Sequence, residues 1–131
     1  MSVKVTQIEG GKLKAESEGL EVVSGRVDEN TQPEGMSPGK LMAASLGLCT
    51  GMHVVGYLSR PGIQYRGFEI TVEQANAENP RRCSAFTVTI SVQTDLTEKQ
   101  RKGLIAEANK CYVGNTLRGS SAINLSLKAE P

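Results

Sequence analysis

Two cysteines are the side chains of this sequence best suited to chemistry. Cys49 lies within a long apolar stretch, and Cys111 lies at the end of a predicted amphipathic helix. Both fall on helix faces that should point inward, so the residues themselves leave two interpretations open. They are either a reactive pair of thiols or two small buried hydrophobic side chains, which is common for free cysteine. A reactive thiol must be a thiolate, so chemistry here depends on what lowers its pKa.

The histidine and the third cysteine allow further alternatives. His53 follows Cys49 by four residues, so the two side chains share one face of a helix. Its imidazole could lower the pKa of the Cys49 thiol or accept its proton, or it could simply find a hydrogen bond in the core or at a subunit contact. Cys83, which follows two arginines just before a strand, is interpreted as an incidental surface cysteine. Zinc binding by these residues is not expected, because their spacing matches no common zinc framework, and we predict no metal or cofactor.

Length and composition limit the class of protein. The chain has 131 residues, which predicts a single domain over residues 1–131. Its 15 basic and 14 acidic residues nearly cancel and form no block of one sign, so we expect no nucleic-acid partner and no membrane partner. Residues 1–5 do not resemble a signal peptide, which predicts a cytoplasmic location where thiols stay reduced.

The elements that must position these residues can be predicted from the hydrophobic pattern. Short alternating runs predict three strands at residues 3–9, 12–16 and 20–23, and residues 24–38 are predicted to be a loop. Ser37-Pro38 predicts a helix start, as N-cap and first-turn residue. Residues 41–58 carry no Asp, Glu, Lys or Arg, and we interpret them as a helix buried on nearly all sides rather than as a membrane span. Gly47 and Gly51 would let another helix or a partner chain approach it closely.

The second half of the chain repeats this alternation of strands and helix. Clean period-two runs predict strands at residues 68–73 and 86–92, joined by a hairpin connection at 75–82. A second helix begins near residues 95–98, with Asp95 or Thr97 as its cap, reaches Cys111, and is broken at residues 114–115. A last strand is predicted at residues 122–127. The order βββ-α-ββ-α-β predicts an α+β fold with mainly antiparallel sheet.

Two segments together resemble the OsmC/Ohr family. Residues 37–50, SPGKLMAASLGLCT, closely resemble its cysteine-bearing helix. Residues 111–117, CYVGNTL, are similar to its second signature, usually Cys-Pro-Val-x-Asn-Thr-Leu. The resemblance extends over about residues 3–128. It implies an OsmC-like fold in which antiparallel sheets wrap around central helices in an intertwined homodimer, with active sites at the subunit interface.

The resemblance also implies an activity. In characterised members the first cysteine attacks an organic hydroperoxide, becomes a sulfenic acid and forms a disulfide with the second, which a dithiol then reduces. Cys49 would be the peroxidatic thiol and Cys111 the resolving thiol of a hydroperoxide reductase that serves peroxide stress defence. A resolving thiol nearby protects the first from irreversible over-oxidation.

The sequence departs from the peroxidase members at the start of the first helix. There a Glu follows the helix-start proline and orients an Arg from the N-terminal strands, whereas here the position is Gly39 and the first arginine is Arg26. Lys12 or Arg26 could supply the positive charge, and Glu34 could orient it. The pattern fits the less characterised OsmC-like branch, which makes a small-molecule or lipid-like binding module the alternative function. Its predicted pocket is formed by four apolar side chains: Leu41, Met42, Leu48 and Met52.

Overall fold

Five strands and three helices form the computed structural model, which describes residues 1–130. The α+β class and the antiparallel sheets are therefore confirmed. The chain divides into two compact units, Met1–Ala44 and Ser45–Pro131. In chain order the elements are β1 (Lys4–Glu9), β2 (Lys12–Ser17), β3 (Leu20–Ser24), α1 (Pro38–Leu58), β4 (Phe68–Ala77), β5 (Arg82–Val92), α2 (Glu98–Ala108) and α3 (Tyr112–Arg118).

The N-terminal unit is a three-stranded antiparallel sheet with the order β1-β2-β3, followed by a loop. All three predicted strands are present within a residue or two of their predicted bounds. The loop at residues 25–37 contains no helix or strand, as predicted. Its end is tied to β3, because the Ser24 hydroxyl donates to the Met36 carbonyl at 2.8 Å.

Helix α1 starts where Ser37 and Pro38 predict, and the Lys40 amide donates to Ser37 Oγ at 3.4 Å. It is the one helix within residues 1–130 that is long and apolar enough to cross a membrane, by length and composition alone. Its buried residues are Leu46, Thr50, Val54, Tyr57 and Leu58, as in the core helix of a globular domain. The other side of the helix is exposed, so the prediction of burial on nearly all sides is wrong for the single chain.

The exposed side of α1 carries an apolar stripe, which consists of Leu48, Met52 and Val55. These side chains are 66%, 73% and 46% exposed. Their spacing of four and three residues places them on one helix face. The sequence shows only that α1 is apolar around its whole circumference, and what covers each side is a property of the packing.

Strands β4 and β5 form the hairpin on which the buried side of α1 packs. Both strands are longer than predicted, and their connection shortens to residues 78–81, because ladder pairing continues beyond the alternating apolar runs. A Cβ atom on Gly47 would lie 3.2 Å from Val72 Cγ2. Gly47 therefore allows strand β4 of the same chain to pack closely against α1. We had predicted a helix or a partner chain at this position.

The core lies between α1, the hairpin and α2. It is built on the buried residues Val54, Tyr57, Leu58 and Leu104, against which the inward side chains of β4 and β5 pack. Burying aliphatic and aromatic side chains of this kind stabilises by roughly 1.5–3 kcal/mol each. This core fixes the separation of α1 and α2.

Two short helices occupy the region predicted to be one. Thr97 forms a capping box with Gln100 at the start of α2, so Thr97 and not Asp95 is the cap. Helix α2 ends at Ala108, and Cys111 is the N-cap of α3. The predicted single helix ending at residues 114–115 is therefore wrong. The reason is local, since the Cys111 sulfur accepts a hydrogen bond from the Gly114 amide and starts a new helix there.

The predicted last strand at residues 122–127 is also wrong, because residues 121–130 contain no helix or strand. A strand forms only where a neighbouring strand satisfies its backbone groups. Within residues 1–130 no strand pairs with this segment, and Ile123, Leu125 and Leu127 are 86–94% exposed. The observed order is therefore βββ-α-ββ-α-α.

Candidate functional site

The structure brings Cys49 and Cys111 together. Cys49 is half-buried in the middle of α1, and Cys111 is 1% exposed in the short link between α2 and α3. The Cys49 side chain hydrogen bonds to the Cys111 sulfur, and both thiols are reduced.

The Cys111 sulfur is surrounded by hydrogen-bond donors. The Gly114 amide lies 3.4 Å from it, and the Thr50 hydroxyl and the Val113 amide also donate. Burial raises the pKa of the Cys111 thiol, but the hydrogen bonds from Cys49, Gly114, Thr50 and Val113 stabilise the thiolate and hold the pKa below its ordinary value. A buried thiolate can therefore form at Cys111.

A cavity of about 410 Å³ opens beside Cys111. A volume of this size is within the range of small-molecule sites. Thr50 and Cys111 form part of its wall, and Cys49 does not. The rest of the lining is mostly apolar and comes from α1, β5, α2 and α3: Leu46, Ser84, Ala85, Phe86, Val88, Ile90, Ile105, Ala108, Asn109, Gly114, Leu117 and Arg118.

A bulge in β5 shapes one wall of the cavity. The register of β4 and β5 shifts between Ala75 and Asn76, so that Ser84 has no partner across the ladder. The Ser84 hydroxyl donates instead to the Ala75 carbonyl at 3.1 Å. A bulge re-aims the side chains next to it, and here Ser84, Ala85 and Phe86 all line the cavity.

Arg118 supplies the positive charge of the cavity wall and was not predicted from the sequence. Its guanidinium donates to Asn109 Oδ1 at 3.0 Å and to Asn115 Oδ1 at 3.5 Å. It also lies over Gly114, where an added Cβ atom would be 3.2 Å from Nη1. Arg118 directly follows the second signature, residues 111–117, and this position is the sequence signal that points to it, whereas the resemblance implies a cation from the N-terminal strands.

None of the four predicted pocket residues lines this cavity. Leu48 and Met52 belong to the exposed stripe of α1, while Leu41 and Met42 are half-buried near its start. The cavity takes two other residues from this helix, Leu46 and Thr50. Sequence identifies α1 as apolar, but which of its sides faces a cavity depends on where β5 and α3 lie.

His53 is paired with a carboxylate. Its Nδ1 lies 3.5 Å from Glu107 Oε1, and Lys110 Nζ lies 3.0 Å from Glu107 Oε2. The hydrogen bonds from Lys110 and His53 hold the pKa of the Glu107 carboxyl below its usual value. His53 was predicted either to act on the Cys49 thiol or to form a structural hydrogen bond. Glu107 is a partner for the structural role.

The other predicted accessory residues have partners inside the N-terminal unit. Lys12 forms an ion pair with Glu34, and the Arg26 guanidinium donates to the carbonyls of Glu29 and Thr31 at 3.5 Å. The Lys12–Glu34 pair joins the two residues that were proposed to supply and orient a charge. Their roles in chemistry remain predictions.

Cys83 is the second residue of β5 and is half-buried, whereas we predicted a surface cysteine just before a strand. Its thiol donates to the Ala85 carbonyl at 3.3 Å.

Within residues 1–130 no group of three or more His, Cys, Asp and Glu side chains could hold a metal ion.

Comparison with known proteins identifies the family. The OsmC-like protein family matches residues 30–126, whereas a search of curated protein sequences returns no match. Among solved structures, a protein of Psychrobacter arcticus 273-4 named for osmotic stress induction and detoxification is 25% identical. The superposition covers 88% of this chain and 87% of the Psychrobacter protein, with a TM-score of 0.74.

Two further structures share the fold. The OsmC-like protein of Mycoplasma pneumoniae is 17% identical, with a TM-score of 0.76 and coverage of 90% of this chain and 86% of its own. The organic hydroperoxide resistance protein OsmC of Legionella pneumophila is 18% identical, with a TM-score of 0.56 and coverage of 90% and 88%. Because the family match spans most of the chain and includes both cysteines of the candidate site, this chain belongs to the OsmC-like protein family.

Proposed function

We propose that this protein is a thiol peroxidase that reduces organic hydroperoxides through a redox pair formed by Cys49 and Cys111. Membership in the OsmC-like family supports a redox role in peroxide stress. The observation that carries the finer proposal is the hydrogen bond between the two thiols beside an apolar cavity. One thiol is oxidised by the peroxide, and the other converts the product to a disulfide before further oxidation.

The cavity supports a small hydrophobic peroxide as substrate. Its walls are mostly aliphatic and aromatic, and its volume of about 410 Å³ suits an organic molecule better than hydrogen peroxide alone. The disulfide is returned to the dithiol form by an external dithiol in the cytoplasm. The redox chemistry lies on sulfur, so this mechanism needs no cofactor.

We also propose that the protein is a homodimer with its active sites at the subunit interface. The apolar stripe Leu48, Met52 and Val55 supports this, because a second copy would bury side chains that are 46–73% exposed in one chain. Cys49 lies next to Leu48 on the same helix, so an interface at the stripe would come close to the thiol pair.

Peroxide consumption with a dithiol reductant tests the proposed function. Cumene hydroperoxide is added to the protein with dithiothreitol, and the remaining peroxide is measured over time. We expect sustained turnover by wild type and by the control Cys83→Ser, and loss of sustained turnover in Cys49→Ser and in Cys111→Ser. Mass spectrometry of the oxidised wild type should show a Cys49–Cys111 disulfide. A wild type that consumes no hydroperoxide with any dithiol would refute the proposal.

A second candidate function is the binding of a small hydrophobic ligand without efficient peroxidase activity. The apolar cavity favours it, as does Gly39 at the position where peroxidase members carry a Glu. The Cys49→Ser/Cys111→Ser protein distinguishes the two functions. If the protein is a binding module, the doubly substituted protein should bind a fluorescent fatty acid in this cavity as tightly as wild type does. The thiols of the wild-type protein should then react only slowly with hydroperoxide.

A further inference from the structure

The cavity beside Cys111 has a single basic side chain in its wall. Among the residues that the structure describes, Arg118 is the one basic residue of the lining, which includes no Asp, Glu, Lys or His. A guanidinium stays protonated at physiological pH. Because the remaining walls are mostly apolar, the cavity combines one fixed positive charge with a hydrophobic surface.

The charge of Arg118 is not neutralised by a carboxylate of its own chain. None of the ion pairs formed within residues 1–130 includes it. Its guanidinium donates instead to two neutral amide oxygens, Asn109 Oδ1 at 3.0 Å and Asn115 Oδ1 at 3.5 Å. A guanidinium has five N–H groups, so these two bonds hold it in place and leave donors for a further acceptor.

Burial distinguishes the floor of the cavity from its rim. Thr50 and Cys111 are 5% and 1% exposed and form part of the floor. Ile105 and Leu117 are 56% and 37% exposed, and Arg118 is exposed beside them, so these three form part of the rim. A ligand that enters the cavity can therefore place its apolar body against the walls while a polar group stays at the rim with Arg118.

We propose that Arg118 is a specificity residue that binds a carboxylate of the substrate, so that the preferred hydroperoxides carry an anionic group as well as an apolar body. This inference rests on the proposed function and adds a substrate class to it. A carboxylate fits the planar guanidinium because two parallel N–H groups can donate to its two oxygens. Arg118 acts on binding and takes no part in the chemistry at sulfur.

A matched pair of substrates tests the role of the charge. 4-Carboxycumene hydroperoxide has a carboxylate on the ring opposite its peroxide group, and its methyl ester has a similar shape without the charge. Each is added to the protein with dithiothreitol at low salt, and kcat and KM are measured. We expect Arg118→Gln to raise KM for the acid about fivefold, since a solvent-exposed ion pair adds modest affinity. KM for the ester and both kcat values should change less than about twofold.

Two further variants separate the local charge from general effects. Arg118→Lys keeps the charge but loses the fork of donors, so its KM for the acid should lie between those of wild type and Arg118→Gln. Both substitutions leave a donor for the Asn109 oxygen, and both proteins are expected to fold. Arg101→Gln is the matched control, because Arg101 is exposed on α2 outside the cavity lining, and its KM for the acid should equal that of wild type.

Binding without turnover provides a readout that does not depend on peroxidase activity. 4-Isopropylbenzoate has the same carboxylate and no peroxide, and its binding is measured by calorimetry. We expect it to bind wild type more tightly than Arg118→Gln. Added NaCl should weaken binding to wild type and remove most of the difference between the two proteins, because salt screens charges at an exposed rim.

The outcomes separate this inference from the proposed function. Turnover of both hydroperoxides with KM values that are unchanged in Arg118→Gln would overturn the role of Arg118 and leave the proposed function intact. A wild type that binds 4-isopropylbenzoate through Arg118 but consumes no hydroperoxide would refute the proposed function and support the carboxylate site. Equal binding of 4-isopropylbenzoate by wild type and Arg118→Gln, or no binding by either, would overturn the inference.

Discussion

At the scale of single residues, the site is defined by the hydrogen bonds that the Cys111 sulfur accepts. Cys111 could be an inert buried thiol, since burial alone raises its pKa. What distinguishes it are four hydrogen-bond donors, and Thr50 is the one side chain among them other than Cys49. A residue outside the cysteine pair, Thr50, therefore contributes to the lowered pKa of Cys111.

Replacement of Thr50 by valine should therefore raise the pKa of Cys111. Valine keeps the shape of threonine and removes the hydroxyl, so the thiolate loses a donor while the packing is preserved. We expect the pH titration of thiolate absorbance at 240 nm to move to higher pH, and the rate of Cys49–Cys111 disulfide formation at pH 7 to fall roughly two- to fivefold. Thr50→Ser keeps the hydroxyl and should titrate like wild type. An unchanged titration in Thr50→Val would show that the hydroxyl does not act on the sulfur.

The pair of His53 and Glu107 predicts a dependence of stability on pH. The pKa of Glu107 is lowered in the folded state by Lys110 and His53, so its ionised form contributes stability above the unfolded value of about 4.5. That contribution is lost as the pH falls through the folded pKa. Glu107→Gln should hence be less stable than wild type in urea unfolding at pH 6–7, and the difference should shrink by pH 3. A difference that stays constant over this range would contradict the assignment.

At the scale of elements, α1 and α2 pack closely at one glycine. A Cβ atom on Gly103 would lie 2.4 Å from the Tyr57 hydroxyl oxygen and 2.9 Å from two ring carbons. Tyr57 is 6% exposed and belongs to the core, so its ring has little room to move. The glycine thus sets how closely the helix that carries Cys49 approaches the helix that precedes Cys111.

Replacement of Gly103 by alanine should destabilise the protein despite the better helix propensity of alanine. Propensity alone would add about 1 kcal/mol, whereas overpacking in a core costs roughly 1–3 kcal/mol. We expect a lower midpoint in thermal and urea unfolding. Gly56→Ala is the matched control, because Gly56 is exposed in α1 and nothing lies within 4 Å of an added Cβ atom. A more stable Gly103→Ala would mean that Tyr57 can move aside at little cost.

The elements also show where sequence reasoning stops. The capping box of α2 and the helix start at Ser37 are local patterns, and the sequence predicts them correctly. Cys111 is different, because cysteine is not one of the usual N-cap residues. At the start of α3 a sulfur atom accepts the capping hydrogen bond that a side-chain oxygen usually accepts. For this reason the predicted second helix extends past Ala108, where α2 ends.

At the scale of the whole molecule, one chain leaves several apolar side chains in solvent. The stripe on α1 and the segment at residues 122–127 are both exposed. The alternating pattern of that segment is typical of a strand, but a strand needs a neighbour that the single chain does not supply. These exposed surfaces are the physical basis for proposing a second copy.

A charge placed in the stripe should therefore separate the subunits. Met52→Glu would bury an unpaired carboxylate in the proposed interface, which costs several kcal/mol and should weaken dimerisation by at least about 100-fold. Sedimentation should show twice the chain mass for wild type and the single mass for this variant. Ala106→Glu, which adds the same charge at an exposed position of α2, should remain dimeric. A monomeric wild type, or a dimeric Met52→Glu, would contradict the proposed interface.

Alternation, helix caps and two signatures are local patterns, so the fold class, six of the eight elements in outline and the family could all be predicted from the sequence. It also selected Cys49 and Cys111 as the residues with chemical potential. The position of Cys111 on the cavity wall with Thr50 and Arg118, and the pairing of His53 with Glu107, became visible in the folded chain alone. These contacts join residues far apart in the chain, and their distances depend on how α1, β5 and the two short helices pack.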